Sequence, residues 1–257
     1  DTFPNLKELN LDWNETMNQT YGGLFGEFFC KLEVLRLCGK DDKLIVVPSV
    51  FVEGLRYLKS LSVSNLFFDN EGQYAGTFER LTALHLSKMP KLMLLWKENS
   101  EQVKSLVQLK HLLLFECKRM REIVTNKREG EAGDEICFNQ LNHLWLIDLP
   151  SLRSFHLGNR TIKFPSLEDL NVSRCPEMKI FSNGVLSMPK LERVGLDENK
   201  LFPNKRELLL EEDVNSAIKR FWEENYDPCV QQLFTEKTNA STSEAEKKTG
   251  VDNLRMT

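Results

Sequence analysis

The side chains with the most chemistry to offer are four histidines, His85, His111, His143 and His156, and six cysteines, Cys30, Cys38, Cys117, Cys137, Cys175 and Cys229. A hydrolytic triad would need a serine on a sharp turn with histidine and carboxylate partners at workable spacing. None stands out here. No two cysteines form a CxxC pair, so the spacing of a zinc module is absent. His111 and His143 would need a carboxylate or thiol beside them to hold a metal, and the pattern places none in their column. The expectation is a non-enzyme with no cofactor or metal of its own. Several of the cysteines occupy places that want a small apolar side chain, which predicts buried reduced thiols and a cytoplasmic setting. What the residue types can still do is bind, and where they sit decides whether they can.

Their positions follow from a repeat. The pattern Φ-x-x-L-x-x-L-x-L runs through Phe3-Leu6-Leu9-Leu11, Phe29-Leu32-Leu35-Leu37, Leu55-Leu58-Leu61-Val63 and Phe78-Leu81-Leu84-Leu86. It continues through Leu106-Leu109-Leu112-Leu114, Phe138-Leu141-Leu144-Leu146, Phe164-Leu167-Leu170-Val172 and Met188-Leu191-Val194-Leu196. The first core leucines are 26, 26, 23, 28, 32, 26 and 24 residues apart. All but the longest spacing fall within about 20–29 residues, the period of leucine-rich repeats. The long one contains the polar run Asn126–Glu135, which reads as an insertion extruded from one coil. A single unit of this kind cannot bury its apolar face, so the units must stack.

The prediction is an α/β fold: a right-handed leucine-rich-repeat solenoid, an open horseshoe with a parallel concave sheet and an irregular convex side. Each L-x-L gives one short strand whose leucines point inward. The residues between them face the concave surface, where the middle column reads Asn10, Arg36, Ser62, His85, Leu113, Trp145, Asn171 and Gly195. Repeats five and six add Phe115 and Ile147, with His111 and His143 one coil apart. Apolar and aromatic side chains grouped on such a face suit a protein partner. The candidate binding patch is therefore Arg36, His85, His111, Leu113, Phe115, His143, Trp145 and Ile147.

Residues 1–210 make the solenoid, eight repeats and a degenerate ninth at Phe202–Leu210 with Lys205 where leucine belongs. Residues 211–234 hold a capping helix, with Asp213 as N-cap and an apolar face of Val214, Ala217, Ile218, Phe221 and Trp222. Residues 235–257 read as a disordered polar tail. The chain has 257 residues and a net charge of −4. Mixed charge of that kind excludes a nucleic-acid footprint, and no apolar run is long enough to span a membrane. A repeat that begins at Phe3 suggests a piece of a longer protein. Five N-x-[ST] sequons, at Asn14, Asn18, Asn159, Asn171 and Asn239, pull toward an extracellular receptor ectodomain. A substrate-recruiting repeat of a ubiquitin-ligase complex is a further alternative.

The irregular repeat length, Cys175-Pro176 after the strand, and phrases such as Phe164-Pro165-Ser166-Leu167-Glu168-Asp169-Leu170 resemble the leucine-rich-repeat region of plant coiled-coil, nucleotide-binding disease-resistance proteins. Lys91–Asn99, Glu122–Val124, Asp134–Leu141 and Lys179–Leu186 carry the same resemblance. It implies an intracellular immune receptor whose repeats sense a pathogen effector or a guarded host protein. It also implies that they hold a nucleotide switch closed by contact with the nucleotide-binding and coiled-coil domains. ADP or ATP would belong to that missing domain, since no phosphate-binding G-x-x-x-x-G-K-[ST] loop occurs in this chain.

Overall fold

The computed structural model describes residues 3, 5–14, 29, 31–40, 45–47, 55–68, 80–97, 108–125, 135–196, 207–209 and 213–225, with backbone alone at 68, 97, 193, 207–209 and 222–225. The insertion residues 126–134 and the tail 235–257 lie outside the described residues. The chain divides into two compact units, Asp1–Ile218 and Lys219–Thr257.

In the first unit, the strands Glu8–Trp13, Val34–Gly39, Ser60–Ser64, Ala83–Ser87, His111–Phe115, His143–Ile147, Asp169–Ser173 and Arg193–Gly195 lie side by side in chain order. Each belongs to one coil, numbered one to eight here, and every neighbouring pair is parallel. The registers join Leu9 to Leu35, Leu35 to Leu61, and so on through Leu84, Leu112, Leu144, Leu170 and Val194. The repeat arithmetic thus becomes columns of stacked core residues. From coil two onward those leucines are almost wholly buried, while Leu9 and Leu11 at the open edge are only half-buried. The leucine-rich-repeat solenoid is borne out.

The steps of three in the repeat are tight turns. Leu32 N donates to Phe29 O, Leu58 N to Leu55 O and Leu167 N to Phe164 O at 3.0–3.3 Å. A second turn after the strand closes the same way, from Leu152 N to Leu149 O and from Met178 N to Cys175 O. Pro150, Pro165 and Pro176 each occupy the second position of such a turn, where their fixed φ is pre-set and no amide is required. Between strand and second turn, Asn65, Lys88, Glu116, Asp148 and Arg174 all adopt φ of 50–57°. This left-handed kink is costly for a side-chain-bearing residue. Here the amides of Asn65, Lys88, Glu116 and Asp148 each donate to a carbonyl of the next coil, at 2.8–3.2 Å. The kink therefore recurs in register through five successive coils.

Cys117 and Cys175 sit where regular repeats carry an asparagine. Each is buried, and its thiol faces two carbonyls: Leu86 O and Phe115 O for Cys117, Leu146 O and Ser173 O for Cys175. Burial pushes the two thiols up to about 11 and about 12, so both stay protonated donors.

On the return side, shorter pairings link Ile45–Val47 to Leu66–Phe68 and Leu94–Lys97 to Glu122–Thr125. A third set joins Ile136–Cys137, Ile162–Lys163 and Leu186–Ser187. The core there is aromatic. Phe138 stacks on Phe164 and Phe155 on Phe181, both at 5.0 Å, and the two stacks meet edge to face.

The degenerate ninth copy adds one short strand of opposite direction. Glu207–Leu209 pairs antiparallel with coil eight, Leu208 opposite Val194. In the repeat pattern Lys205 stands where leucine belongs, so the segment lacks the full apolar set of another coil, and among the described residues its antiparallel strand is the last of the sheet. The helix Val214–Asn225 spans the division between the units. Asp213 accepts from Ser216 N at 3.1 Å, an N-cap. Asn215 reaches the return side of coil seven: its Oδ1 accepts from Phe181 N at 2.7 Å and Ser182 N at 3.2 Å, and its Nδ2 donates to Ser182 O at 2.8 Å. Val214, Ala217 and Ile218 are buried. In the second unit the described residues are the rest of the helix, with Phe221 buried.

Candidate protein-binding face

Alternation along each strand turns every second side chain out of the core, and register stacks these outward residues into columns. The first column runs Glu8, Val34, Ser60, Ala83, His111, His143 and Asp169. The middle column carries Arg36, Ser62, His85, Leu113, Trp145 and Asn171, the third Ser64, Ser87, Phe115, Ile147 and Ser173. The eight candidate residues therefore do share one face.

The centre of the face is aromatic. The rings of His111 and His143 stack at 4.8 Å, 8° from parallel. Leu113, Phe115 and Trp145 beside them are half-buried. Ile147 is not available to a partner, being only 7% exposed. Its register neighbours are Phe115 and the buried Ser173, which leave a medium aliphatic chain little open surface.

A second difference concerns the histidine column. Asp169 continues it one coil beyond His143, so a carboxylate does share that column. Its Oδ2 lies 3.6 Å from His143 Nδ1 and accepts a hydrogen bond from Trp145 Nε1 at 2.8 Å. The aspartate thus orients the indole. Two histidines and one aspartate still fall short of a metal centre, and among the described residues no group of three or more ligands is arranged to hold an ion. His156, the fourth histidine, is wholly buried on the return side, its Nδ1 3.0 Å from Val124 O.

Burial holds the His111 imidazole below its ordinary value near 6.5, and the neighbouring His143, His85 and Lys110 push the same way. Burial also lowers His85, with the Arg36 charge adding to it. The sign for stability follows. The unfolded chain takes up a proton on His111 more readily than the folded one does. This contribution is complete above the ordinary value and is lost as the pH falls through the depressed one. NMR titration of the ring protons is expected to place His111 below free imidazole, and His143→Ala to move it back up. A midpoint at or above the ordinary value would contradict the stacked, crowded arrangement.

At the other end of the face, Arg36 forms an ion pair with Glu8 and a 3.1 Å hydrogen bond to Asn10 Oδ1, both through Nη1. Along the strand entries, Glu33 links Lys7 and Lys59 at 3.5 and 2.7 Å. These exposed pairs contribute little to stability. Among the described residues no helix is long and apolar enough to cross a membrane.

Residues 5–129 match the family described as plant disease resistance protein RPS2-like, leucine-rich repeats. No curated protein and no solved structure matches the chain. The matched span covers coils one to five, and coils six to eight extend the same parallel sheet in register. Residues 5–129 are thus similar to the leucine-rich repeats of plant disease-resistance proteins, and coils six to eight continue the same solenoid fold.

Proposed function

We propose that this region is the recognition part of an intracellular plant immune receptor, binding protein through the central sheet face. The observation that carries the reading is the half-exposed group Leu113, Phe115 and Trp145 beside the stacked histidines, in a repeat of the disease-resistance type. The partner is a pathogen effector or a guarded host protein, and the same repeats restrain a nucleotide-binding switch in the parent receptor. Signalling is then a population shift, since a ligand moves the equilibrium only by preferring the open arrangement over the closed one. In this reading the chain is no enzyme, carries no cofactor and works in the cytoplasm.

The test is Phe115→Ala combined with Trp145→Ala in the full-length receptor. Both side chains are half-buried, so roughly 1–2 kcal/mol of stability is the expected cost. Circular dichroism is expected to report the same fold, while effector-dependent or basal signalling changes severalfold in the plant. Wild-type signalling, or loss of the fold, would remove the support for this face. Exposed Asn14 and Asn159, both in N-x-[ST] sequons, favour an extracellular ectodomain as a second reading. A glycosidase-sensitive mobility of plant-expressed protein would move the conclusion there.

A further inference from the structure

Between Arg36 and the aromatic centre, the face has a floor of short side chains, Ser60, Ser62 and Ser64 in coil three and Ala83 and Ser87 in coil four, interrupted by the half-buried ring of His85. Among the described residues, no protein group hydrogen-bonds the hydroxyls of these four serines. A low floor of unused hydroxyls suits a main chain, whose amides and carbonyls need partners. Large side chains border it on one side and a cation on the other.

The cation is only half used. Both hydrogen bonds of Arg36 leave from Nη1, so Nη2 and Nε have no protein partner among the described residues. A guanidinium offers a planar fork that matches a carboxylate. At the far end stands Asp169, whose carboxylate would repel an acid placed there. The two ends of the face therefore differ: at coil two Arg36, though ion-paired to Glu8 through Nη1, still presents Nη2 and Nε, while coil seven presents a carboxylate.

Distance fixes the spacing of the anchors. Arg36, Ser62, His85 and Leu113 are consecutive in one column, three strand steps from first to last. At about 4.8 Å per step this is roughly 14 Å, the reach of about four residues of extended chain. We infer that the face takes an extended protein segment laid across the coils, with an acidic side chain on Arg36 and an apolar one on Leu113, Phe115 and Trp145. The main chain between the two anchors crosses the serine floor. The inference deepens the protein-binding reading and rests on it.

The probe is a blocked pentapeptide, Glu-Ser-Gly-Ser-Phe, titrated into the 257-residue chain and followed by amide and indole NMR shifts. Its controls replace Glu by Gln, replace Phe by Ala, or double the spacing. The expected result is saturable binding that weakens about tenfold with Gln and about tenfold with Ala, on charge-assisted and apolar anchoring respectively. Longer spacing should weaken it too. In Arg36→Gln, whose exposed side chain leaves melting unchanged, the preference for Glu over Gln should vanish while that for Phe over Ala stays. Equal binding of Glu and Gln peptides, a preference surviving Arg36→Gln, tighter binding at double spacing, or no saturable binding each overturns the segment. If signalling still fails in the Phe115 and Trp145 double variant, the protein-binding reading stands without it.

Discussion

Phe164→Ala is expected to lower the stability of the solenoid by about 3–5 kcal/mol, the range for a buried phenylalanine reduced to a methyl group. Phe164 is fully buried and touches aromatic rings on three sides: Phe138 stacked at 5.0 Å, Phe155 edge-on at 5.4 Å and Phe181 edge-on at 6.1 Å. Such pairs add roughly 0.5–1.5 kcal/mol beyond burial, and all three are lost together. The rings belong to two adjacent coils, so the void opens between repeats. In a stack stabilised mainly by nearest-neighbour contacts, that is where cooperativity is most vulnerable. For a unit of this size the loss corresponds to a fall of roughly 6–20 °C in Tm. Phe3 provides the comparison, being also a stacked aromatic, parallel to Phe29 at 5.9 Å, yet 56% exposed at the sheet's open edge. Phe3→Ala should cost about 1 kcal/mol or less. Equal costs for the two variants, measured by denaturant unfolding, would refute the aromatic core as the element coupling coils six and seven.

The same cluster shows how much a reader of the sequence could have seen. Phe138 and Phe164 open their repeats, and Phe155 and Phe181 recur five residues after a proline, so their burial follows from period alone. That they face one another across the return side depends on coil curvature, which no spacing encodes. Asp169 was missed for a related reason. Its column holds histidines at coils five and six, and the carboxylate that meets them comes from a copy with unremarkable outward residues. Ile147 looked open because alternation turns it outward, yet alternation says nothing of the shielding by Phe115 and Ser173. Asn215 carried no signal at all. It lies at the edge of the helix's apolar face, and only the structure shows its amide satisfying Phe181 and Ser182. What repeats was legible, and what closes or decorates the repeat was not.

Gly184→Ala gives the sharpest contrast between these two kinds of information. A Cβ at Gly184 would fall 1.8 Å from Arg160 O, 2.7 Å from Arg160 C and 2.9 Å from Arg160 N. All three atoms are backbone, so no side chain can swing aside and one coil must move off its neighbour. Just beyond the contact, Ile162 N donates to Val185 O and Phe164 N to Ser187 O, both at 2.8 Å, and the strands Ile162–Lys163 and Leu186–Ser187 pair. Overpacking together with weakening of those bonds is expected to cost about 2–4 kcal/mol. Hydrogen exchange at Ile162 and Phe164 should accelerate before that of the sheet amides. Gly195→Ala is the matched control. There the nearest atoms are Nδ2 and Cγ of the Asn171 side chain, at 3.1 and 3.3 Å, and that amide can rotate away. The cost should stay below about 1 kcal/mol, partly offset by the lower entropy of the unfolded chain. Should Gly195→Ala prove as damaging as Gly184→Ala, backbone-to-backbone closeness of coils six and seven would not be what demands glycine at 184.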